Sequence, residues 1–186
     1  MIILGVDPGT LATGYGLIEV SGKHITVLDF DVILNRGSRT MPMRLKEIYS
    51  RLCEVIAKHH PDEFAIETAF YGRNAQSALK IGHARGVSML AAVNHDIPTS
   101  EYSPREVKKA VVGNGAASKE QVKFMVKSLL GLRETPKFYD ATDALAVALC
   151  HYHKNGGVGS GRTKNAGRKS WASFIKENPT RVLQPR

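Results

Sequence analysis

The chain has 186 residues, a hydrophobic fraction of 42% and a formal net charge of +9, which fits one domain with an appendage and leaves enough apolar content for a core. No run is long and apolar enough to span a membrane, and no segment has the layout of a secretory signal. Cys53 and Cys150 sit in apolar helical stretches and read as reduced, buried thiols rather than a disulfide, so a cytoplasmic protein is expected.

Residues 2–6 form a continuous apolar run, the pattern of a strand covered on both faces. Pro8-Gly9-Thr10 interrupts it. Residues 14–20 and 24–34 read as two further strands in an antiparallel meander. The period then changes: Leu45, Ile48, Leu52, Val55 and Ile56 share one face of a helix over residues 42–58. A fourth strand over 63–68 carries Glu67, and a long helix follows over 74–93. That helix carries Ala78, Gly82, Gly86 and Leu90 on one stripe. Interior helical glycine costs about 1 kcal/mol relative to alanine, so two on one stripe imply close approach, either to the sheet or to a second subunit. Residues 98–102 allow a short fifth strand. Pro104 opens a helix through Val112, and Gly113-Asn114-Gly115 turns the chain. Ser118-Lys119-Glu120-Gln121 resembles a capping box, before a helix expected to bury Val122, Met125, Val126 and Leu129. The last core helix is expected over 140–153.

Beyond it lies a glycine-rich linker over 156–161 and a basic segment. Residues 154–186 hold eight basic residues and one acid, a net +7, whereas residues 1–153 hold only +2. Such a tail favours nucleic acid through counterion release without reading sequence. Trp171, Phe174 and Ile175 mark a short stretch that can order on a partner. The expected division is thus a domain over 1–153 and a basic, flexible tail over 154–186.

Four acids stand out. Asp7 ends the first apolar run, Glu67 ends the fourth strand, and Asp140 and Asp143 open the last helix. Each has a structural reading: Asp7-Pro8-Gly9 is good turn chemistry, Asp140 fits an N-cap, and Asp143 suits the positive end of a helix. Glu67 resists such a reading, because a carboxylate closing Phe64-Ala65-Ile66 is costly to desolvate unless paired or metal-bound. Asp140 and Asp143, three apart, share a helical face, and their repulsion is useful only where a cation sits. Hard oxygen ligands select Mg2+ or Mn2+, and two such ions can clamp the attacking and leaving oxygens of a phosphodiester. His59-His60 and His151-x-His153 lack cysteine partners at zinc spacing and read as surface or helix-end residues.

Meander with an acid, strand with an acid, and late Asp-x-x-Asp helix together resemble the ribonuclease-H-like nucleases, and most nearly the RuvC-type Holliday junction resolvases. The resemblance is carried by Gly5-Val6-Asp7-Pro8-Gly9-Thr10, Ile66-Glu67-Thr68-Ala69-Phe70, residues 74–80 with Ala84-Arg85-Gly86, residues 107–113, and Asp140-Ala141-Thr142-Asp143-Ala144-Leu145-Ala146. It covers residues 1–153 and leaves the tail outside. It implies an α/β fold with a mixed five-stranded sheet, the first three strands antiparallel, and helices on both faces. It implies a homodimeric, Mg2+-dependent endonuclease that nicks four-way DNA junctions symmetrically, leaves 5′-phosphates, and works with a branch-migration motor in recombination and repair. By motif, Asp7, Glu67, Asp140 and Asp143 become the metal-binding catalytic acids, with two ions per site. Some relatives carry His where Asp140 stands. Phe70 becomes an aromatic platform for an unstacked base, beside Tyr71 and Arg73. Lys108, Lys109 and Lys119, around the Gly113-Asn114-Gly115 turn, can follow a phosphate backbone or steady transition-state charge, and by motif Lys108 and Lys119 are the better candidates. The Ala78–Leu90 stripe becomes the candidate dimer seam.

Three rival readings remain open. The Asp7-Pro8-Gly9-Thr10 loop before a meander also resembles the phosphate loop of actin- and Hsp70-like ATPases, although one lobe is too few. A ribonuclease-H-like enzyme acting on RNA or an RNA–DNA hybrid would share all four acids. A non-catalytic junction-binding module would need none of them.

Overall fold

The computed structural model describes residues 1–35, 37, 39–68, 75–132 and 138–155. The chain runs β1 (Ile2–Asp7), β2 (Ala12–Ser21), β3 (His24–Leu34), α1 (Met41–His59), β4 (Glu63–Glu67), α2 (Ala75–Val93), β5 (Thr99–Tyr102), α3 (Pro104–Val112), α4 (Lys119–Leu130) and α5 (Tyr139–Lys154). The five strands form one sheet in the order β3-β2-β1-β4-β5. β1, β2 and β3 pair antiparallel, while β1–β4 and β4–β5 pair parallel. The architecture is the one the resemblance implies. The predicted tail lies outside the described residues from 156 onward, and the proposed boundary after residue 153 falls at the end of α5.

Period-two alternation sorts the two faces. Leu4, Val6, Leu17, Phe64 and Ile66 face α1 and α2, packed on Ile48, Leu52, Ile56, Ala84 and Ala91. Ile3, Ile18 and Ala65 face α3, α4 and α5, packed on Val107, Val126, Leu145 and Leu149. Removing a Leu or Ile side chain of this kind from water stabilises the fold by about 1.5–3 kcal/mol. α5 is buried along nearly its whole length, from Ala141 to His151, with Asp143 the exception. Such a helix is apolar on every side because it is sandwiched between sheet and helices.

Three glycines let α5 approach the sheet. Gly5 pairs with Gly16 and Asp7 with Gly14, placing these glycines on the α5 face. A Cβ on Gly5 would lie 2.2 Å from the Ala144 carbonyl oxygen, one on Gly14 would lie 1.9 Å from that of Asp140, and one on Gly16 would lie 2.7 Å from the Leu145 side chain. The far end of α5 is pinned separately. His151 is buried, with Nδ1 2.8 Å from the Tyr102 hydroxyl and Nε2 hydrogen-bonded to Glu63. Eight residues of helix and four of strand each span about 12–13 Å, so seating His151 on Glu63 brings Asp143 level with Glu67.

The structure corrects several local expectations. Phe138, not Asp140, is the N-cap of α5, and Asp140 lies in the first turn. Ser118 does form the expected capping box with Gln121. Leu129 is exposed, whereas Val122 and Val126 are buried and Met125 is partly so. Cys150 is buried but Cys53 only half-buried, and both are free thiols. His151 is a core residue rather than a surface one. Gly82 and Gly86 do not touch the sheet: a Cβ on either would meet nothing within 4 Å. Their stripe faces outward because Ala84, Ser88, Ala91 and Ala92 form the buried face of α2.

Candidate active site

Val6 of β1 pairs in parallel with Ile66 of β4, so the next residues, Asp7 and Glu67, end adjacent central strands. Both project to the α5 face by the same alternation that turns Val6 and Ile66 the other way. The glycine-lined approach of α5 then brings its N-terminal turns over the same edge. Asp7, Glu67 and Asp143 line one pocket with Lys108 of α3 and Lys119 of α4, walled by Pro104, Val107 and Val122. Five of the ten residues predicted from sequence therefore meet at one place.

The electrostatics of the pocket are those of crowded like charges. Burial, then the charges of Asp143 and Asp140, push the Asp7 carboxyl up to about 7, with Lys119 opposing. Burial, then Asp7 and Asp143, push Glu67 up to about 8 against Lys119 and Lys108. Lys119 donates to Asp143 Oδ2 at 3.0 Å. Burial alone would lower the Lys119 ammonium, but that bond and the charges of Asp143, Asp7 and Asp140 hold it above its usual range. The pocket thus strongly favours a positive charge.

Among the described residues, no three His, Cys, Asp or Glu side chains are gathered closely enough to hold a metal ion. The donor chemistry nevertheless fits a hard divalent cation: every acid offers only carboxylate oxygen, and burial with neighbouring like charge holds two of them against ionisation, which a cation would offset. Lys119 supplies part of that charge through Asp143.

The other predicted residues lie elsewhere. Asp140 lines a separate groove beside the pocket, with Gly9, Thr10, Leu11, Ser77 and Lys80, yet is near enough to bear on Asp7. Lys109 is exposed and outside the pocket. Phe70, Tyr71 and Arg73 lie outside the described residues. Sequence reading missed the glycines that seat α5 and the apolar wall of Pro104, Val107 and Val122. The signal for the first was present, since glycine inside a strand marks close backbone approach.

A mixed sheet of this order, with acids at the ends of β1 and β4 and on the last helix, defines a ribonuclease-H-like protein. The sequence family "Crossover junction endodeoxyribonuclease RuvC" matches residues 3–151, and the chain belongs to that family. The crossover junction endodeoxyribonuclease RuvC of Salinibacter ruber is 49% identical over 184 residues, spanning 99% of this chain and 100% of that protein. The Thermus thermophilus RuvC structure superimposes with a TM-score of 0.76 at 35% identity, over 84% of this chain and 97% of the other. T. thermophilus RuvC in complex with Holliday junction substrate gives 0.78 at 33% identity, over 83% and 94%.

Proposed function

We propose that this chain is a structure-specific endonuclease that resolves four-way DNA junctions by paired symmetric nicks, in homologous recombination and repair. Membership of the resolvase family and the likeness to a relative solved with its junction substrate support this reading. The observation that carries the chemistry is the pocket where Asp7, Glu67 and Asp143 face Lys108 and Lys119. Asp7, Glu67 and Asp143 would hold divalent metal, with Asp140 at the rim, and Mg2+ or Mn2+ in a pair suits their oxygen donors. When bound, such ions act as Lewis acids for the scissile phosphate, the attacking water and the departing 3′-oxygen.

The chain's own residues do the remaining work. Lys119 and Lys108 place positive charge where the phosphorane-like transition state accumulates negative charge. Pro104, Val107 and Val122 make one wall apolar, which strengthens every charge interaction inside. Water oxygen bonds to phosphorus, the bond to O3′ breaks, and the proton passes to the 3′-oxygen, leaving 5′-phosphate and 3′-hydroxyl ends. Phe70, Tyr71 and Arg73 are proposed to receive the unstacked base, and Lys109 a flanking phosphate, on sequence grounds. The basic segment after residue 153 adds affinity without sequence preference.

A homodimer follows from the need for two nicks related by symmetry. The outward face of α2 supports its placement: Gly82 and Gly86 are open, and Leu79, Leu90 and Val93 are 63%, 50% and 54% exposed. The branch-migration motor rests on the family resemblance alone. The direct test compares a synthetic four-way junction, linear duplex and RNA–DNA hybrid, with and without Mg2+, for the native chain and Asp7→Asn. The junction alone should be nicked, in two strands, and Asp7→Asn should bind it without cutting. Cutting of the hybrid in preference would favour the RNA-directed alternative, and cutting by Asp7→Asn would remove the assignment of the acids.

A further inference from the structure

We infer that Leu11, in the β1–β2 loop, positions the nucleotide next to the scissile phosphate by packing its apolar side chain on the base. The inference rests on the junction-cutting function proposed above and extends it to a residue outside the acid-and-lysine pocket.

Leu11 is 61% exposed. A lone exposed leucine is ordinary, but this one is held in place. The Asn35 backbone N–H donates to the Leu11 carbonyl at 2.9 Å, and the Asn35 side-chain amide donates to the Thr10 carbonyl at 3.3 Å. The Thr13 hydroxyl donates to the Gly9 carbonyl at 2.6 Å, closing the same loop. Thr10, Thr13 and Asn35 are themselves buried. The backbone is thus tied down on both sides of a side chain left in solvent, an arrangement with no value to the core and real value to a ligand, because little ordering is needed on contact.

Leu11 also borders a groove. Gly9, Thr10, Ser77, Lys80 and Asp140 line it with Leu11. Asp140, in the first turn of α5, stands three residues before Asp143, which lines the catalytic pocket. Three residues of helix rise about 4.5 Å, so the acid on the groove and the acid in the pocket are separated along α5 by a spacing of the order of one nucleotide along a strand. A strand whose phosphate meets Asp7, Glu67 and Asp143 must send its next nucleotide somewhere, and among the described residues this groove is an adjoining concavity. Lys80 is exposed there and suits the flanking phosphate, while Leu11 suits an uncharged ring. The occupant is a deoxynucleotide of the cleaved strand.

The test uses the full chain, single-turnover nicking of a synthetic junction in Mg2+, and Leu11→Ala, with Leu11→Met as the conservative variant. Parallel junctions carry an abasic residue immediately 5′ or 3′ of the cut. Leu11→Ala should nick the intact junction about fivefold to tenfold more slowly, with junction affinity and melting temperature near native, and Leu11→Met should restore the rate. At one of the two abasic positions the native chain should slow to the rate of Leu11→Ala, and the variant should lose nothing further. Equal rates for native and Leu11→Ala on the intact junction would overturn the inference. So would a loss in the variant that persists unchanged at both abasic positions. If the native chain cuts no junction at all, the proposed function itself has failed, and that outcome is read before any variant is compared.

Discussion

Replacing Gly14 with alanine tests whether glycine packing places the acids. Gly14 pairs with Asp7 across the sheet. An added Cβ would stand 1.9 Å from the Asp140 carbonyl oxygen and 2.3 Å from its carbon, where ordinary contact begins at 3.4 Å. The first turn of α5 would have to withdraw by about 1.5 Å. Overpacking of this kind costs about 1–3 kcal/mol, which lowers the melting temperature of a chain this size by roughly 2–4 °C per kcal/mol. Asp140 and Asp143 ride on the displaced segment, and a misplacement of about 1 Å can cost on the order of a hundredfold in rate. Single-turnover nicking of a junction should therefore fall about a hundredfold while Gly14→Ala remains folded. Ile48→Val, on the opposite face of the sheet, should cost about 0.5–1.5 kcal/mol with little change in rate. Gly14→Ala cutting within about threefold of native and melting at the native temperature would refute the packing argument.

In metal-free protein Asp7 titrates near 7 and Glu67 near 8, above their unfolded values, so the folded state holds protons the unfolded chain releases. Stability should then fall as pH rises from about 5 to 8, by on the order of a few kcal/mol, and Mg2+ should stabilise more at pH 8.5 than at pH 5.5. Thermal unfolding with chelator that instead rose with pH across that window would contradict the crowded-acid picture. Lys119→Ala should lower the Mg2+ concentration needed for binding, by freeing Asp143, yet slow cutting by about tenfold or more; calorimetric titration and nicking rates separate the two effects. Gly86→Arg should leave the protomer folded, because its Cβ position is open, but yield a monomer by sedimentation and unpaired nicks. A dimer retained in that variant would move the seam away from α2.

Much of the architecture was legible because each element carries its own period. The unbroken apolar run of β1 marks a strand buried on both faces, and helices cover the sheet on both. Leu45 to Ile56 shows a helical face, and four of its five residues are buried in α1. Glu67 was recognisable because a carboxylate closing a buried strand needs an explanation in any fold, whereas Asp7, in good turn chemistry, stood out only together with the other acids. Local chemistry also signalled the capping box of Ser118, where both partners lie within four residues.

What the sequence could not decide is how elements far apart in the chain meet. Whether the Gly82–Gly86 stripe turns toward the sheet or away depends on which face of α2 the core takes up, and small alanines, not the glycines, won that face. Asp140 and Asp143 look equivalent as neighbours on one helix, yet the axial seating of α5 on Gly5, Gly14 and Gly16 sends one into the pocket and leaves the other on the groove beside it. Side-chain type and period are local properties of a chain and can be read along it. The convergence of β1, β4, α3, α4 and α5 on one small volume is set by register, backbone clearance and the sum of their packing, which exist only once the chain is folded.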